Sequence, residues 1–204
     1  MADASTDAEL SAYIAQLAAT EPRIVLIRLP ENGGISANTN AALNRATEDF
    51  LLLLDHDDLL SPEALFEVAH FLQTQPDADL IYSDSDKVDA KGRRFEPLFK
   101  PDWSPELLLC VNYIRHLSVV RREVALRVGQ FDSALDGAQD WDYFLRLSEV
   151  TQRIYHLPKV LYHWRAWEGS TAQARSAKHY AAAAQIAAVE NHLKRTGVPA
   201  PHVF

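Results

Sequence analysis

The chain has 204 residues, of which 48% are hydrophobic and 24% are charged, and its net charge is −8. These values are typical of one folded domain and exclude a disordered chain. The negative charge disfavours nonspecific nucleic-acid binding, and the single cysteine, Cys110, excludes an internal disulfide and a cysteine-based zinc site. Because the sequence has no run of 18 apolar residues and no signal-peptide features at its start, we expect a cytosolic protein.

Helical and strand-like segments alternate in the first half of the chain and predict an α/β fold with a mostly parallel sheet. Apolar spacing predicts a helix over 7–20, a short strand over 24–29 and, after a glycine-containing loop, a helix over 36–46. Strands are expected at 51–55 and 79–82. The helix between them should start at Ser61 and Pro62, which suit the N-cap and first helical positions.

The second half of the chain has a looser pattern, with a loop or hairpin over 87–103. The elements that we expect after it are a helix starting at 104–106, a strand over 117–120, helices over 123–128 and 140–147, a strand over 160–163 and an alanine-rich helix over 177–195.

Four leucines followed directly by acids mark the end of the strand at 51–55. A run this apolar predicts a strand buried on both faces, and ligands of α/β sheets gather at the carboxyl ends of strands. Asp55 and Asp57 are two residues apart at this end, where a divalent cation with phosphates would offset their repulsion. The sequence therefore predicts a metal-assisted phosphate-ester or sugar-nucleotide site. The alternative is that these acids only open the next helix, which Ser61 and Pro62 already do.

Two later polar segments are also candidates for a site. Asp140 and Asp142 should project on different faces of a helix, so one can reach a cleft while the other caps the helix or meets solvent. His163 and Arg165 follow near the end of a strand, where histidine can bind a metal and arginine a phosphate. A lone histidine is more often structural. The glycine patterns of dinucleotide and P-loop sites are absent from the sequence.

Together these segments resemble the family-2 glycosyltransferases with a GT-A fold, especially bacterial members that build polysaccharide or O-antigen chains. The motifs that carry the resemblance, in the family's order, are 32–40, 55–58, 82–87, 99–103, 139–142 and 162–165, with 169–172 just after. The resemblance implies a single three-layer domain over 1–204. Its nucleotide-binding part would be 1–83, its acceptor and catalytic part 84–175, and its C-terminal helix 176–204.

The resemblance also implies a function and its residues. The domain would transfer a sugar, with inversion, from a nucleotide-diphosphate sugar to a saccharide or lipid-linked saccharide acceptor in cell-surface polysaccharide synthesis. Asp140 would be the general base, next to Gln139, which stands where the family normally has glutamate. The implied nucleotide and donor contacts are Asp3, Asn32, Asp55 and Asp84, and the implied ligands of Mg²⁺ or Mn²⁺ are Asp57 and His163.

The start of the chain departs from the family pattern. Residues 2–7 resemble the segment that ends the family's second strand, so the preceding strand, helix and most of the second strand are expected to be missing. Unpaired sheet edges should then favour self-association or low stability, and the nucleotide pocket should be compromised. We expect a cytoplasmic location with peripheral association at the inner membrane.

Two other classes of function stay open. A module that binds sugar nucleotide or polysaccharide without turnover would fit Gln139 and the missing strands. A dehalogenase-type phosphatase would form a phospho-aspartate at Asp55, but Leu59 stands where such enzymes have threonine or valine.

Overall fold

The computed structural model describes residues 1–166 and 175–199. The strands in these ranges are β1 Ala2–Asp3, β2 Ile27–Arg28, β3 Phe50–Leu52, β4 Leu59–Leu60, β5 Leu80–Val88, β6 Arg94–Leu98, β7 Ser118–Arg121 and β8 Ile154–Arg165. The helices are α1 Ala8–Thr20, α2 Gly34–Leu43, α3 Ala64–Thr74, α4 Pro105–Cys110, α5 Arg122–Val128, α6 Gln139–Val150 and α7 Arg175–Thr196, with a 3₁₀ turn at Ser133–Leu135. Among these described helices, none is long and apolar enough to cross a bilayer.

The main sheet has six strands in the order β3-β7-β5-β8-β4, with β6 paired to β5. The central pair, β5 and β8, is parallel, whereas β7 is antiparallel to both β3 and β5. The outer pairings of β4 and β6 are antiparallel too. The α/β fold is thus confirmed, but the sheet is mixed rather than mostly parallel, because apolar runs predict strands without predicting their direction.

A separate small sheet lies at the start of the chain. It consists of β1 and β2 in parallel, joined at Ala2 with Ile27 and Asp3 with Arg28. Within the described residues, β3 has a strand on one side only, so the large sheet ends there with an open edge. Self-association through such an edge stays a prediction.

The hydrophobic core covers both faces of β5. Leu80 and Tyr82 point to one cluster, which packs against α5 and α6, whereas Ile81 points to a second cluster beneath α3. This alternation is the two-residue period of a strand. The leucines of 51–54 do not follow the prediction of burial on both faces, since Leu51–53 are half-buried and Leu54 is exposed. Leu51 and Leu52 belong to an edge strand, which has fewer neighbours to cover it, and Leu53 and Leu54 follow that strand.

Local sequence explains several element boundaries. Asp7 accepts hydrogen bonds from the N–H groups of Glu9 and Leu10 at the start of α1, and Ser104 does the same for Leu107 in α4. The third helix instead begins at Ala64, two residues after the expected Pro62 start, because 61–64 forms a turn first. The strands β5 and β8 extend well beyond the predicted ranges 79–82 and 160–163. Their additional residues are partly polar and do not show the alternation of apolar side chains that predicts a strand.

The amino-terminal elements are held to the rest of the protein through α2. The side-chain amide of Asn40 donates to the Phe131 carbonyl and accepts from the Phe131 N–H, both at 2.8 Å. Ser36 bonds to Asp136 through its N–H and hydroxyl groups. Gly34 has φ +90°, and a Cβ there would lie 2.6 Å from Asp136 Oδ2. These contacts hold the loop at 32–36 against the segment that leads into α6.

Candidate active site

A cleft of about 630 Å³ opens beside the carboxyl ends of the parallel strands β5 and β8. Ligands of α/β proteins commonly bind at this end of a sheet. Its walls come from the loop after β3, the end of β5, strand β6, the loop 112–116, the start of α6, the end of β8 and one residue of α7. The polar and aromatic residues that line it are Asp55, Asp86, Lys87, Glu96, Asn112, Arg115, His116, Gln139, Asp140, Trp141, Tyr162, Trp164 and Gln185, with Ser85 beside them.

Asp140 faces this cleft from the first turn of α6. Its Oδ2 accepts a hydrogen bond of 2.8 Å from Asn112 Nδ2, and its Oδ1 accepts one from the Trp141 N–H. The Trp141 indole donates in turn to the carbonyl of Leu108, which fixes the start of the helix. The carboxylate is therefore held in one orientation at the cleft wall, as a general base must be.

The second acid of this helix, Asp142, has a structural role. It is buried, 2% exposed, and forms an ion pair of 2.8 Å with Arg146 one turn later. The expectation that this acid caps the helix or meets solvent is therefore wrong, because α6 packs that face against the core.

Asp55 lies in the same cleft as Asp140. Its Oδ2 is 3.4 Å from His116 Nε2, and the His116 ring stacks on Tyr162. The hydrogen bond from His116 lowers the pKa of Asp55 because it favours the charged carboxylate, although burial works in the opposite direction. The site therefore favours the ionised form of Asp55, which can bind a cation or accept a hydrogen bond from a hydroxyl group.

The two acids after Asp55 differ from each other. Asp57 is half-buried and is not among the cleft-lining residues. Asp58 is 7% exposed and accepts hydrogen bonds from the Tyr162 hydroxyl at 2.6 Å and the Arg165 N–H at 2.9 Å. Burial raises the pKa of Asp58. This third acid thus ties the loop to β8.

His163 is buried behind the cleft and paired with Asp86. Its Nδ1 lies 2.6 Å from Asp86 Oδ1, and Asp86 Oδ2 accepts a bond from Arg94 Nε. A carboxylate on one ring nitrogen is the usual setting of a metal-binding histidine, since it fixes the ring for a metal on the other nitrogen. Within residues 1–166 and 175–199, however, no three histidine, cysteine or acidic side chains are gathered as a metal site.

Asp84 is buried outside the cleft, at 4% exposure. It accepts a hydrogen bond from the Lys100 N–H and lies 2.8 Å from His156 Nε2. The ammonium of Lys100 donates to the carbonyls of Ile114 and His116, at 2.6 Å each. Burial lowers the pKa of Lys100 to about 7, against the opposing charge of Asp84. Asp84 and Lys100 therefore support the loop that lines the cleft.

The remaining two predicted site residues lie in the amino-terminal elements, outside this cleft. Asp3 accepts from the Ser5 N–H and pairs with Arg28 across the small sheet. Asn32 accepts from the Gly34 N–H and from Asn38. Of the seven site residues expected from the sequence, the cleft thus brings together Asp55 and Asp140. The roles assigned to all seven stay predictions.

The loop at 112–116 is the part of the site that sequence reasoning missed. Asn112, Arg115 and His116 all reach the cleft, yet they lie between α4 and β7 in a stretch with no periodic pattern. A cluster of polar residues in a short connection is the signal that could have identified them, because binding residues concentrate in loops held by rigid elements.

Residues 1–129 match the sequence model described as Glycosyl transferase family 2. The chain belongs to this family. The O-antigen biosynthesis protein RfbC of Myxococcus xanthus is 41% identical over 195 residues, which cover 96% of this chain and 15% of RfbC. An uncharacterized protein of Sinorhizobium fredii is 43% identical over 196 residues, 95% of this chain and 22% of that protein. The chain thus spans less than a quarter of these relatives.

Solved glycosyltransferase structures share the fold. TarS of S. aureus in complex with UDP-GlcNAc superposes with a TM-score of 0.67 at 20% identity, covering 95% of this chain and 61% of the TarS chain. The mannosyltransferase PcManGT of Pyrobaculum calidifontis, in complex with GDP-Man and Mn²⁺, gives 0.61 at 16% identity, with coverages of 98% and 55%. The expected family and GT-A fold are confirmed.

Proposed function

We propose that this chain is the catalytic domain of an inverting glycosyltransferase that acts in polysaccharide synthesis. The observation that carries the proposal is the position of Asp140, held by Asn112 at the wall of the cleft that also contains Asp55. The donor is a nucleotide-diphosphate sugar, the class of ligand present in the TarS and PcManGT structures. The acceptor is a saccharide or a lipid-linked saccharide, in line with the name of the Myxococcus xanthus relative.

Asp140 has the position and partners of the general base. A sugar hydroxyl is a poor nucleophile and needs a base within hydrogen-bond reach of its proton. Asp140 accepts that proton as the hydroxyl attacks the anomeric carbon from the face opposite the leaving diphosphate, which inverts the configuration. Asn112 donates to Oδ2 and keeps the carboxylate aimed at the cleft. Trp164, 40% exposed, offers a ring face on which a sugar can stack.

The acids near the end of β3 fit a Mg²⁺ or Mn²⁺ site completed by substrate. Such ions in nucleotide sites take one or two carboxylates and fill the other positions with phosphates and water. Asp55 is ionised in the cleft, Asp57 lies two residues away, and His163 has the carboxylate partner typical of a metal ligand. When bound, the ion would neutralise charge that develops on the leaving diphosphate.

The test of this proposal compares Asp140→Asn with Glu123→Gln. Both residues are acids in the first turn of a helix, but Glu123 is exposed on α5 and lies outside the cleft. Release of nucleoside diphosphate from UDP- and GDP-sugars is measured with Mn²⁺ and with EDTA. We expect Asp140→Asn to lower turnover by about a hundredfold or more, the scale of a lost general base, with sugar-nucleotide affinity retained. Glu123→Gln should behave as the wild type.

The same measurement separates the catalytic domain from a binding module. Gln139, in place of the family's usual glutamate, is the residue that favours a module without turnover. Wild-type protein that binds a sugar nucleotide but releases no diphosphate would support the module. Full turnover in Asp140→Asn would contradict the assignment of the base.

We also propose that the domain self-associates through its open edge at β3. Beside this edge, an apolar cavity of about 140 Å³ is lined by half-buried side chains of α2 and β3 and by Phe131 and Tyr143. An unpaired strand next to apolar surface favours pairing with another chain. Sedimentation velocity should show dimers or larger species at micromolar concentration, and Leu52→Lys should shift them towards monomer. A wild-type monomer at all concentrations would contradict this.

A further inference from the structure

The cleft contains one cation that no acid neutralises within the described residues, and it is Arg115. The other charged groups in the walls are paired: Lys87 with Glu96 at 2.5 Å and Asp86 with Arg94 at 2.5 Å. Asp55 faces His116, and Asp140 accepts from Asn112. The Arg115 side chain is exposed in the cleft, and its Nε donates a hydrogen bond of 3.0 Å to the Asn112 carbonyl. Within the described residues its terminal nitrogens have no acceptor, so their donors are available to a ligand in the cleft.

Arg115 has a backbone conformation that non-glycine residues rarely adopt. Its φ is +41°, a left-handed conformation that costs a non-glycine residue about 1 kcal/mol or more. The conformation persists because the ammonium of Lys100 donates to the carbonyls on both sides, those of Ile114 and His116. Lys100 is 6% exposed and is itself anchored through its N–H to Asp84. Strain maintained by buried polar contacts is common at functional sites.

The position of Arg115 along its loop relates it to both halves of the reaction. Three residues before it, Asn112 holds the base Asp140, and directly after it, His116 contacts Asp55. Arg115 lines the same cleft as these two acids, so an anion bound at Arg115 shares that cleft with the group that takes the acceptor proton and with the acid assigned to the nucleotide. In glycosyl transfer the anion expected in such a cleft is the diphosphate.

We infer that Arg115 binds the diphosphate of the nucleotide donor. The two hydrogen bonds from Lys100 to the carbonyls on either side of Arg115 hold its guanidinium in place for the phosphate oxygens. This inference rests on the proposed function, because it assumes that the cleft takes a nucleoside diphosphate. A guanidinium suits this task, since its planar donors bond two phosphate oxygens at once. The same contact is available in the leaving group, where negative charge increases, so Arg115 favours departure of the diphosphate as well as its binding.

The experiment uses a variant that lacks the Arg115 side chain but can keep the backbone conformation of the loop. Glycine adopts a φ of +41° without steric cost, so Arg115→Gly deletes the guanidinium and leaves the loop conformation accessible. Arg115→Lys keeps a positive charge and loses the two-pronged geometry. Arg127→Gln, at an exposed position on α5, removes the same charge away from the cleft and serves as the control. Calorimetric titrations use UDP, UMP, GDP and GMP, each with Mn²⁺, and thermal unfolding checks the fold.

We expect Arg115→Gly to weaken UDP or GDP binding by about tenfold or more, since a hydrogen bond to a charged group is lost. Monophosphate affinity should change by less than about twofold, because UMP and GMP lack the second phosphate. Arg115→Lys should fall between wild type and Arg115→Gly, and Arg127→Gln should match wild type. Midpoints of thermal unfolding should be equal for Arg115→Gly and wild type.

Three results would overturn the inference. Equal affinity of wild type and Arg115→Gly for the diphosphates would show that Arg115 serves another anion, such as a carboxylate of the acceptor, and would leave the proposed function intact. Equal losses for mono- and diphosphates would show a general effect of charge or fold. Wild-type protein that binds neither UDP nor GDP with Mn²⁺ would overturn the proposed function together with this inference.

Discussion

The amino-terminal region, residues 1–58, and the central region, residues 78–165, differ strongly in how their side chains are packed. Among the described residues no buried hydrophobic side chain precedes Ala64, and α1 buries none of its residues. In the central region α6 alone buries six side chains, including Phe144 and Leu147. The central region contains the proposed base, Asp140, whereas three of the four expected nucleotide and donor contacts, Asp3, Asn32 and Asp55, lie in the loosely packed region.

This difference has a functional meaning. A general base must keep its orientation to be effective, and rigid elements with fixed neighbours provide that. A region with few buried contacts opens locally at low free-energy cost, and ligand-binding segments are commonly of this type. We therefore expect a rigid wall that holds the proposed base, Asp140, and an amino-terminal region that becomes more ordered when the donor binds.

The largest expected effect is on stability and comes from the central core. Leu147→Ala removes a side chain with no exposed surface and should lower the free energy of unfolding by about 3 kcal/mol, through lost burial and the cavity left behind. Leu10→Ala in α1, where the side chain is 46% exposed, should lower it by less than about 0.5 kcal/mol. Urea denaturation followed by circular dichroism measures both. Similar losses for the two variants would show that the regions are packed alike.

A smaller effect, dependent on pH, should come from Lys100. Because burial lowers the pKa of Lys100 to about 7, the unfolded chain holds its proton up to higher pH than the folded protein does. Folding stability contributed by this group therefore rises as the pH increases from about 7 towards the pKa of a free lysine, near 10.5. The unfolding free energy of wild type minus that of Lys100→Met should therefore increase over this pH range. A constant difference would contradict the lowered pKa.

The sequence predicted the elements whose signals are local. The helices expected from 7, from 104–106 and over 123–128 are present, and the groups that bound them, Asp7, Ser104 and Gly129, all act within a few residues of their helices. The burial of β3 could not be predicted, because it depends on which strands lie beside it. The direction of β7 is likewise set by long-range pairing with β3 and β5.

The site was predictable to a similar extent. Asp55 and Asp140 follow recognisable motifs at a strand end and a helix start, and both reach the cleft. The partner of His163 is Asp86, 77 residues earlier in the chain, and no spacing rule connects them. The roles proposed for Asn112 and Arg115 depend on the bond from Asn112 to Asp140 and on the bonds from Lys100 to the carbonyls on both sides of Arg115, which only the folded chain brings together.

Hydrogen exchange with and without UDP and Mn²⁺ tests the central claim most directly. Without nucleotide, amides of α1 and the β1–β2 sheet should exchange much faster than those of β5 and β8, which lie in the core. Adding UDP with Mn²⁺ should slow exchange around Asp3, Asn32 and the loop at 112–116 and leave β5 unchanged. Equal protection of α1 and β5 in the free protein, or no slowing before residue 64 when UDP binds, would contradict the account.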